Sequence, residues 1–300
     1  MNLFQRGLDA IEAAAQQLAD LDGRFLLPAL LLQLTGLALR ALVWRSIVAA
    51  AYPDRRVPVM SVTGSFLAGV ALNAFLPAKG GELAKLVLIR SRIEGSTVST
   101  LAATLGVVMF LDGLLGAILF GVLALSGLAP VALPSIGAGP VLAVSGVLVL
   151  CGVALKLRPR RARSLLAHLA QGAAVLRTPG RYLHSVLPLQ LAAWTCRIGV
   201  AFLVLSAFGI EAGLATAALI VVCNGLSTVV PVPGGVGTQQ VLTAYALRGV
   251  VPLAGAVSFS VGMQVGVTVV NTLVGLTALM LMLRTFSPFA AVRLRVAADR

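Results

Sequence analysis

The sequence predicts an all-α, polytopic integral membrane helical bundle of about seven or eight spans, built as two internally repeated halves that each hold a broken or re-entrant helix. Three observations carry this. First, 59% of the 300 residues are hydrophobic and 11% are charged, whereas a soluble domain carries roughly 25% charged residues. Mean hydropathy is +1.00, so too few polar residues exist to cover the outside of a water-soluble core. Second, apolar runs long enough to cross about 30 Å of hydrocarbon as helices recur along the chain. They are continuous, unlike the short alternating segments of an outer-membrane barrel. Third, the chain matches itself at an offset of 154 residues.

Taken in order, residues 1–23 form an interfacial unit. Leu3, Phe4, Leu8, Ile11, Ala15, Leu18 and Leu21 fall near one helical face, with Arg6, Asp9, Glu12, Asp20 and Asp22 on the polar side. That is the pattern of a helix lying on the membrane surface. It lacks the basic start and short apolar block of a cleaved signal peptide. Spans follow at 25–48, 57–77, 97–127 and 139–157, giving a first membrane repeat over 24–157. A basic loop occupies 158–184, a second membrane repeat 185–283 (spans 185–208, 212–231 and 252–283), and a basic tail 284–300.

Charge sets the sidedness. The stretch 156–184 holds Lys156, Arg158, Arg160, Arg161, Arg163, Arg177 and Arg181, while 128–138 holds no charge. An excess of Lys and Arg marks cytoplasmic loops, so the former lies inside and the latter outside. Within the loop, Leu165, Leu166, Leu169 and Val175 predict a short amphipathic cytoplasmic helix. Seven simple spans would leave the tail with Arg284, Arg293, Arg295 and Arg300 outside, against the same rule. The long run 252–283 tilts, kinks or hides a second crossing, and odd and even span counts both stay open.

The self-match pairs 77–109 with 231–263: Pro77 with Pro231, Gly80 with Gly234, Gly81 with Gly235, and Gly95 with Gly249. Internal repeats of this kind are common in transporter folds. Both motifs, LPAKGGELAK at 76–85 and VPVPGGVGTQQ at 230–240, stand at the end of an apolar span. Proline removes a backbone donor and paired glycines remove side chains, so each helix breaks there. Non-helical backbone at membrane depth is tolerated only when protein-buried or lining a wet cavity. A helix restarting after Gly-Gly offers free N–H donors to an anion such as phosphate.

The candidate head-group-binding residues gather at these breaks and at charges inside spans. At the first break they are Asn73, Pro77, Lys79, Gly80, Gly81, Glu82 and Lys85. At the second they are Pro231, Pro233, Gly234, Gly235, Gly237 and Gln240, with Gln264 beyond. Glu82 and Lys85, three apart on the restarting helix, are placed to pair. Arg40, Asp112 and Arg197 lie deep within spans, where charges face a partner or a watery cavity; Asp112 is placed to pair with Arg197 or with a cation of the first break, and Arg40 reads alternatively as a snorkelling side chain. Asn73, Asn224, Gln264 and Asn271 read equally well as interhelical hydrogen-bond glue.

Several classes are set aside. The net charge of +13 sits between or at the ends of apolar runs, and aromatics are 5% of the chain, so nucleic acid lacks its stacking partners. The charge fits basic loops and contact with anionic head groups. Cys151, Cys196 and Cys223 lie in apolar runs, and His168 and His184 lack clustered ligands, so no disulfide framework, metal or cofactor is expected. No Ser-His-Asp set, carboxylate pair or phosphate loop points to an enzyme.

The motif residues Asn73, Pro77, Gly81, Glu82 and Lys85, and then Pro231, Pro233, Gly234, Gly235 and Gly237, resemble the transmembrane region of the lysylphosphatidylglycerol synthase family, flippase-like membrane proteins. Trp44 with Arg45 suits it too. The resemblance covers nearly the whole chain, without the soluble aminoacyl-transferase domain. Gln240 replaces the acid usual in the second motif, and Met109 and Gln264 stand where the family often has Arg. The resemblance implies a lipid translocase of the cell (inner) membrane moving a phospholipid or polyprenyl-phosphate-type lipid. Lys79, Lys85 and Arg197 would hold the phosphate, with Glu82 and Asp112 balancing them. The alternative is a non-transporting membrane partner that recruits a lipid- or glycan-modifying enzyme through 156–184; a second copy of the chain is a further candidate partner.

Overall fold

The computed structural model describes residues 22–76, 80–128, 167–227 and 237–283, and every regular element among them is helical. In order these are α1 (Gly23–Ala51), α2 (Val59–Phe75), α3 (Gly80–Arg90), α4 (Val98–Leu125), α5 (Pro179–Ser185), α6 (Leu187–Ala207), α7 (Leu214–Ser227), α8 (Thr238–Ala246) and α9 (Leu253–Leu283). A helical stretch at 167–172 and a 3-10 turn at Ala174–Arg177 precede α5. The expected interfacial helix within 1–23, the span at 139–157 and the tail at 284–300 lie outside the described residues, save Asp22 and Gly23.

Local chemistry sets the helix ends. Asp22 caps α1, its Oδ1 accepting from Arg24 N at 3.0 Å, and α1 stops at Tyr52, immediately before Pro53. Thr97 caps α4 through Oγ1, which accepts from Thr100 N at 3.2 Å. Both α4 and α6 run out onto left-handed glycines, Gly127 at φ +71° and Gly209 at φ +67°.

Among the described residues four helices, α1, α4, α6 and α9, are long and apolar enough to cross a membrane. By contrast α2 has 17 residues. At 1.5 Å per residue it reaches about 25 Å, short of the roughly 30 Å of hydrocarbon. The span expected at 57–77 is therefore a shorter helix, while residues 228–231 of the span expected at 212–231 lie outside the described residues. On α9, Leu253, Val257, Val261, Val265, Val269 and Leu273 are exposed at four-residue spacing, an apolar ridge suited to lipid. On α4, Phe110, Leu114, Ile118 and Val122 form a second such ridge.

The helices turn their ends to two opposite faces of the bundle. At one face, Thr97 N donates to Tyr52 Oη at 3.1 Å and Arg92 donates to Met282 O at 3.1 Å. Gln171 there bridges Ala51 O and Thr100 Oγ1. This face gathers the C-terminal ends of α1, α3 and α9 with the start of α4. At the opposite face, Asp22 N donates to Ala207 O at 3.2 Å. Leu123, Ile210, Leu247 and Ala256 share an apolar cluster there.

Two pairs of short helices, the hairpins α2–α3 and α7–α8, complete the bundle. In the first, Asn73 meets Glu82 and Phe66 meets Lys85, which brings Arg90 level with the start of α2. The first hairpin closes at glycines. A methyl group on Gly69 would overlap Lys85 and lie 2.6 Å from Gly81 O, and one on Gly81 would meet Gly69 O and Asn73. We expect Gly69→Ala to destabilise the protein by about 1–3 kcal/mol, read as a lowered Tm in detergent, because backbone must move on the α3 side.

At the 154-residue offset, Gly95 (φ +70°) and Gly249 (φ +84°) both take the left-handed conformation just before α4 and α9.

Candidate functional site

The ionisable residues inside the bundle converge on one region between α1, the first hairpin, α4 and α6. Lys85 is 4% exposed. Its Nζ donates to Glu82 Oε1 at 2.8 Å and lies 4.4 Å from the Phe66 ring centroid. Glu82 Oε1 also accepts from Asn73 Nδ2 at 3.1 Å. The pairing expected at three-residue spacing is thus present, and Asn73, Gly81, Glu82 and Lys85 form one latch across the hairpin, with Gly80 opening α3 beside them. Pro77 and Lys79 lie outside the described residues.

Across a narrow cleft, Asp112 on α4 faces α6. Its Oδ1 accepts from Gln190 Nε2 at 2.9 Å and from Trp194 Nε1 at 3.3 Å. Arg197 stands 4.0 Å from Oδ2 and 4.7 Å above the Trp194 ring. The expected partnership of Asp112 with Arg197 holds, at the long limit of an ion pair. Outside the spanning helices, Tyr182 donates to Gln190 Oε1 at 3.4 Å. Burial, and secondarily the Asp112 carboxylate, push its phenol above the ordinary value.

Arg40 corrects the snorkelling expectation. It lines the cleft with Val43, Phe66, Val108, Asp112, Gln190 and Ala193, and its guanidinium lies 5.7 Å from the Phe66 centroid. Eleven residues separate it from the end of α1, about 17 Å of helix, too far for a side chain to reach water by snorkelling. Its depth in α1 was the sequence signal; which face it takes was not readable. Gln190, Trp194 and Phe66, also unforeseen, supply the neutral donors and the ring. Three cations (Arg40, Lys85, Arg197) thus meet two carboxylates (Glu82, Asp112), leaving one net positive charge. The cleft has room for roughly one water in this conformation.

The segment expected to hold a short amphipathic cytoplasmic helix packs against the bundle. Val175 and Val186 are fully buried with Val43, Ile47, Ala50, Val107 and Leu111. The two valines thus insert between α1 and α4.

The second hairpin is polar and uncharged. Gln240 Nε2 donates to Gln264 Oε1 at 2.7 Å, and Gly237 N donates to Gln240 Oε1 at 2.6 Å. Thr243 Oγ1 donates to Asn224 Oδ1 at 3.3 Å. Gly237 takes φ +90°, which only glycine adopts freely. Pro231, Pro233, Gly234 and Gly235 lie outside the described residues. Gln33 Nε2 donates to Asn271 Oδ1 at 2.8 Å, an interhelical bond of the kind expected of Asn271.

Long apolar helices, lipid-facing ridges and a charged interior define a multi-pass helical membrane protein with a polar centre. A family model for the lysylphosphatidylglycerol synthase TM region matches residues 5–275, and the chain belongs to that family. Membership links it to lipid metabolism. No curated protein and no solved structure matches it.

Proposed function

We propose that the chain is a lipid translocase of the cell membrane, moving a phospholipid or polyprenyl-phosphate-type lipid between leaflets along the polar centre framed by the two hairpins. The observation that carries this reading is the Arg40–Lys85–Arg197 cluster with its two carboxylates. Charges inside a bilayer are costly and mark substrate paths, and this cluster exceeds its internal counter-ions by one. Hairpin breaks between the cluster and the lipid would let a head group reach it while its tails stay in hydrocarbon.

On this reading α2–α3 and α7–α8 are re-entrant hairpins of two inverted repeats, entering from opposite faces. The crossings are then α1, α4, the stretch 139–157, α6 and α9. The face with Arg55, Arg56, Arg90, Arg92, Arg177 and Arg181 is cytoplasmic, and the other holds Asp22, Arg24, Glu211 and Arg248. This arrangement puts the basic tail after Leu283 inside and removes the conflict that seven simple spans create. In intact cells, a membrane-impermeant maleimide is expected to label Glu211→Cys and to spare Glu94→Cys until the cells are opened. The reverse pattern would contradict the orientation.

Mass spectrometry of lipids copurifying with the protein tests the ligand class. Enrichment of phosphate-bearing lipid over its share of the source membrane is expected; a profile equal to the bulk membrane would count against the reading.

A further inference from the structure

The segment 167–186, which leads into α6, has two sides, and the bundle uses one of them. Its inner side is fixed. Val175 and Val186 are buried between α1 and α4, Tyr182 donates to Gln190 Oε1 at 3.4 Å, and Gln171 bridges Ala51 O and Thr100 Oγ1. A methyl group on Gly172 would overlap Ala103, so the segment lies close against α4. Its outer side exposes Leu176, Arg177, Arg181 and Leu183. Among the described residues no carboxylate pairs with either arginine.

The depth of that outer side follows from the helix it feeds. Val186 N donates to Tyr182 O and Gln190 N donates to Val186 O, both at 3.0 Å. Each bond spans four residues, so helical winding passes through the junction of α5 and α6. Leu183, Leu187 and Leu191 therefore follow one face at four-residue spacing, and Leu191 is exposed on a helix long and apolar enough to span. Leu183 continues that face about 6 Å beyond the start of α6, at the edge of the hydrocarbon. At such a depth arginine stems lie along apolar chains while the guanidiniums reach outward.

Charge names the partner. Between Asp112 and Glu211 the sequence has no acidic residue, whereas 156–184 holds seven cations. A strip without local counter-ions is complementary to an anionic surface, and a leucine at the hydrocarbon edge selects a bilayer over a soluble acidic protein.

We propose that Leu176, Arg177, Arg181 and Leu183 form a docking surface for the anionic bilayer leaflet at this end of the bundle. Leu183 enters the hydrocarbon edge, the two guanidiniums lie among anionic head groups, and the contact holds Val175 and Val186 in the seam between α1 and α4. The surface lies outside the cleft, and nothing in it depends on lipid being moved between leaflets.

The test uses the full chain with Cys151, Cys196 and Cys223 replaced by Ala. A bimane label is placed at Leu183→Cys or, as a water-facing control on the same face, at Glu94→Cys. Nanodiscs contain phosphatidylcholine alone or phosphatidylcholine mixed with phosphatidylglycerol. With phosphatidylglycerol present, the label at 183 should show blue-shifted emission, quenching by chain-brominated lipid and shielding from iodide. The label at 94 should stay open to iodide. Arg177→Gln combined with Arg181→Gln should abolish the gain in shielding that phosphatidylglycerol gives. Iodide access at 183 equal to that at 94 in both membranes, the result for a solvated or protein-binding face, would overturn the bilayer contact. Equal shielding with and without phosphatidylglycerol, unaltered by the double Gln variant, would overturn the anionic assignment. Hydrogen exchange on the parent chain needs no cysteine replacement. Amides of 174–186 should exchange more slowly in the phosphatidylglycerol membrane, and equal rates would contradict the proposal.

Discussion

Replacing Asp112 by Asn should abolish most lipid movement while leaving the fold in place. Asn is isosteric and keeps an Oδ1 able to accept from Gln190 and Trp194, the two short bonds that anchor the side chain. What it removes is the charge 4.0 Å from Arg197. At that separation the attraction is worth about 4 kcal/mol at an effective dielectric constant of 20. The cluster then holds three cations against Glu82 alone. An entering phosphate would be gripped by an Arg197 without its counter-ion and released slowly, or Arg197 would swing away before it arrived. Either way leaflet exchange should fall by at least about tenfold, with a gel-filtration profile like that of the parent. Asp112→Ala, which also strips two hydrogen bonds, should lower Tm as well. Wild-type exchange in Asp112→Asn would reduce Asp112 to a packing residue.

The second large effect is expected at Lys85. Its ammonium is buried in the hairpin, paired with Glu82, and set against Phe66 and Gly69. Lys85→Ala leaves the half-buried Glu82 with Asn73 as its remaining partner and opens a gap beside Gly69. Removing one member of a fully buried pair costs about 3–5 kcal/mol, and the loss here should be smaller because Glu82 is partly exposed. Replacing both members by well-packed apolar or neutral groups is often close to neutral. The double variant Lys85→Met with Glu82→Gln should therefore recover much of the stability lost in Lys85→Ala. Thermal unfolding of the three proteins in one detergent decides it. Equal losses in the single and double variants would show that the latch contributes nothing beyond packing.

Much of the fold was legible because lipid imposes simple rules on a chain. The runs 25–48, 97–127, 185–208 and 252–283 became α1, α4, α6 and α9 within a few residues, since apolar length and flanking caps alone set such helices. The end of α2 at Phe75, two residues before Pro77, and the left-handed Gly237 ahead of α8 were legible because proline and glycine act locally. The site was half legible. Glu82 with Lys85 followed from helical spacing, and Asp112 with Arg197 from the cost of isolated charge. Arg40 stayed open between a functional charge and a snorkelling one because its role depends on the face it shares with Phe66, a tertiary fact. The packing of Val175 and Val186 between α1 and α4 was not readable for the same reason. The Gln240–Gln264 bond likewise joins α8 to α9 across a distance that sequence does not encode.

The central claim is that this polar centre carries lipid head groups across the bilayer. Its most direct test is leaflet exchange in liposomes reconstituted with the purified protein and symmetrically doped with fluorescent phosphatidylglycerol or a fluorescent polyprenyl phosphate, using an impermeant quencher added outside. The account predicts that protein-bearing vesicles lose signal well beyond their outer-leaflet share with at least one of these lipids, and that Asp112→Asn vesicles retain it. Signal loss no greater than in protein-free vesicles, for every phospholipid and polyprenyl lipid tried, would contradict it.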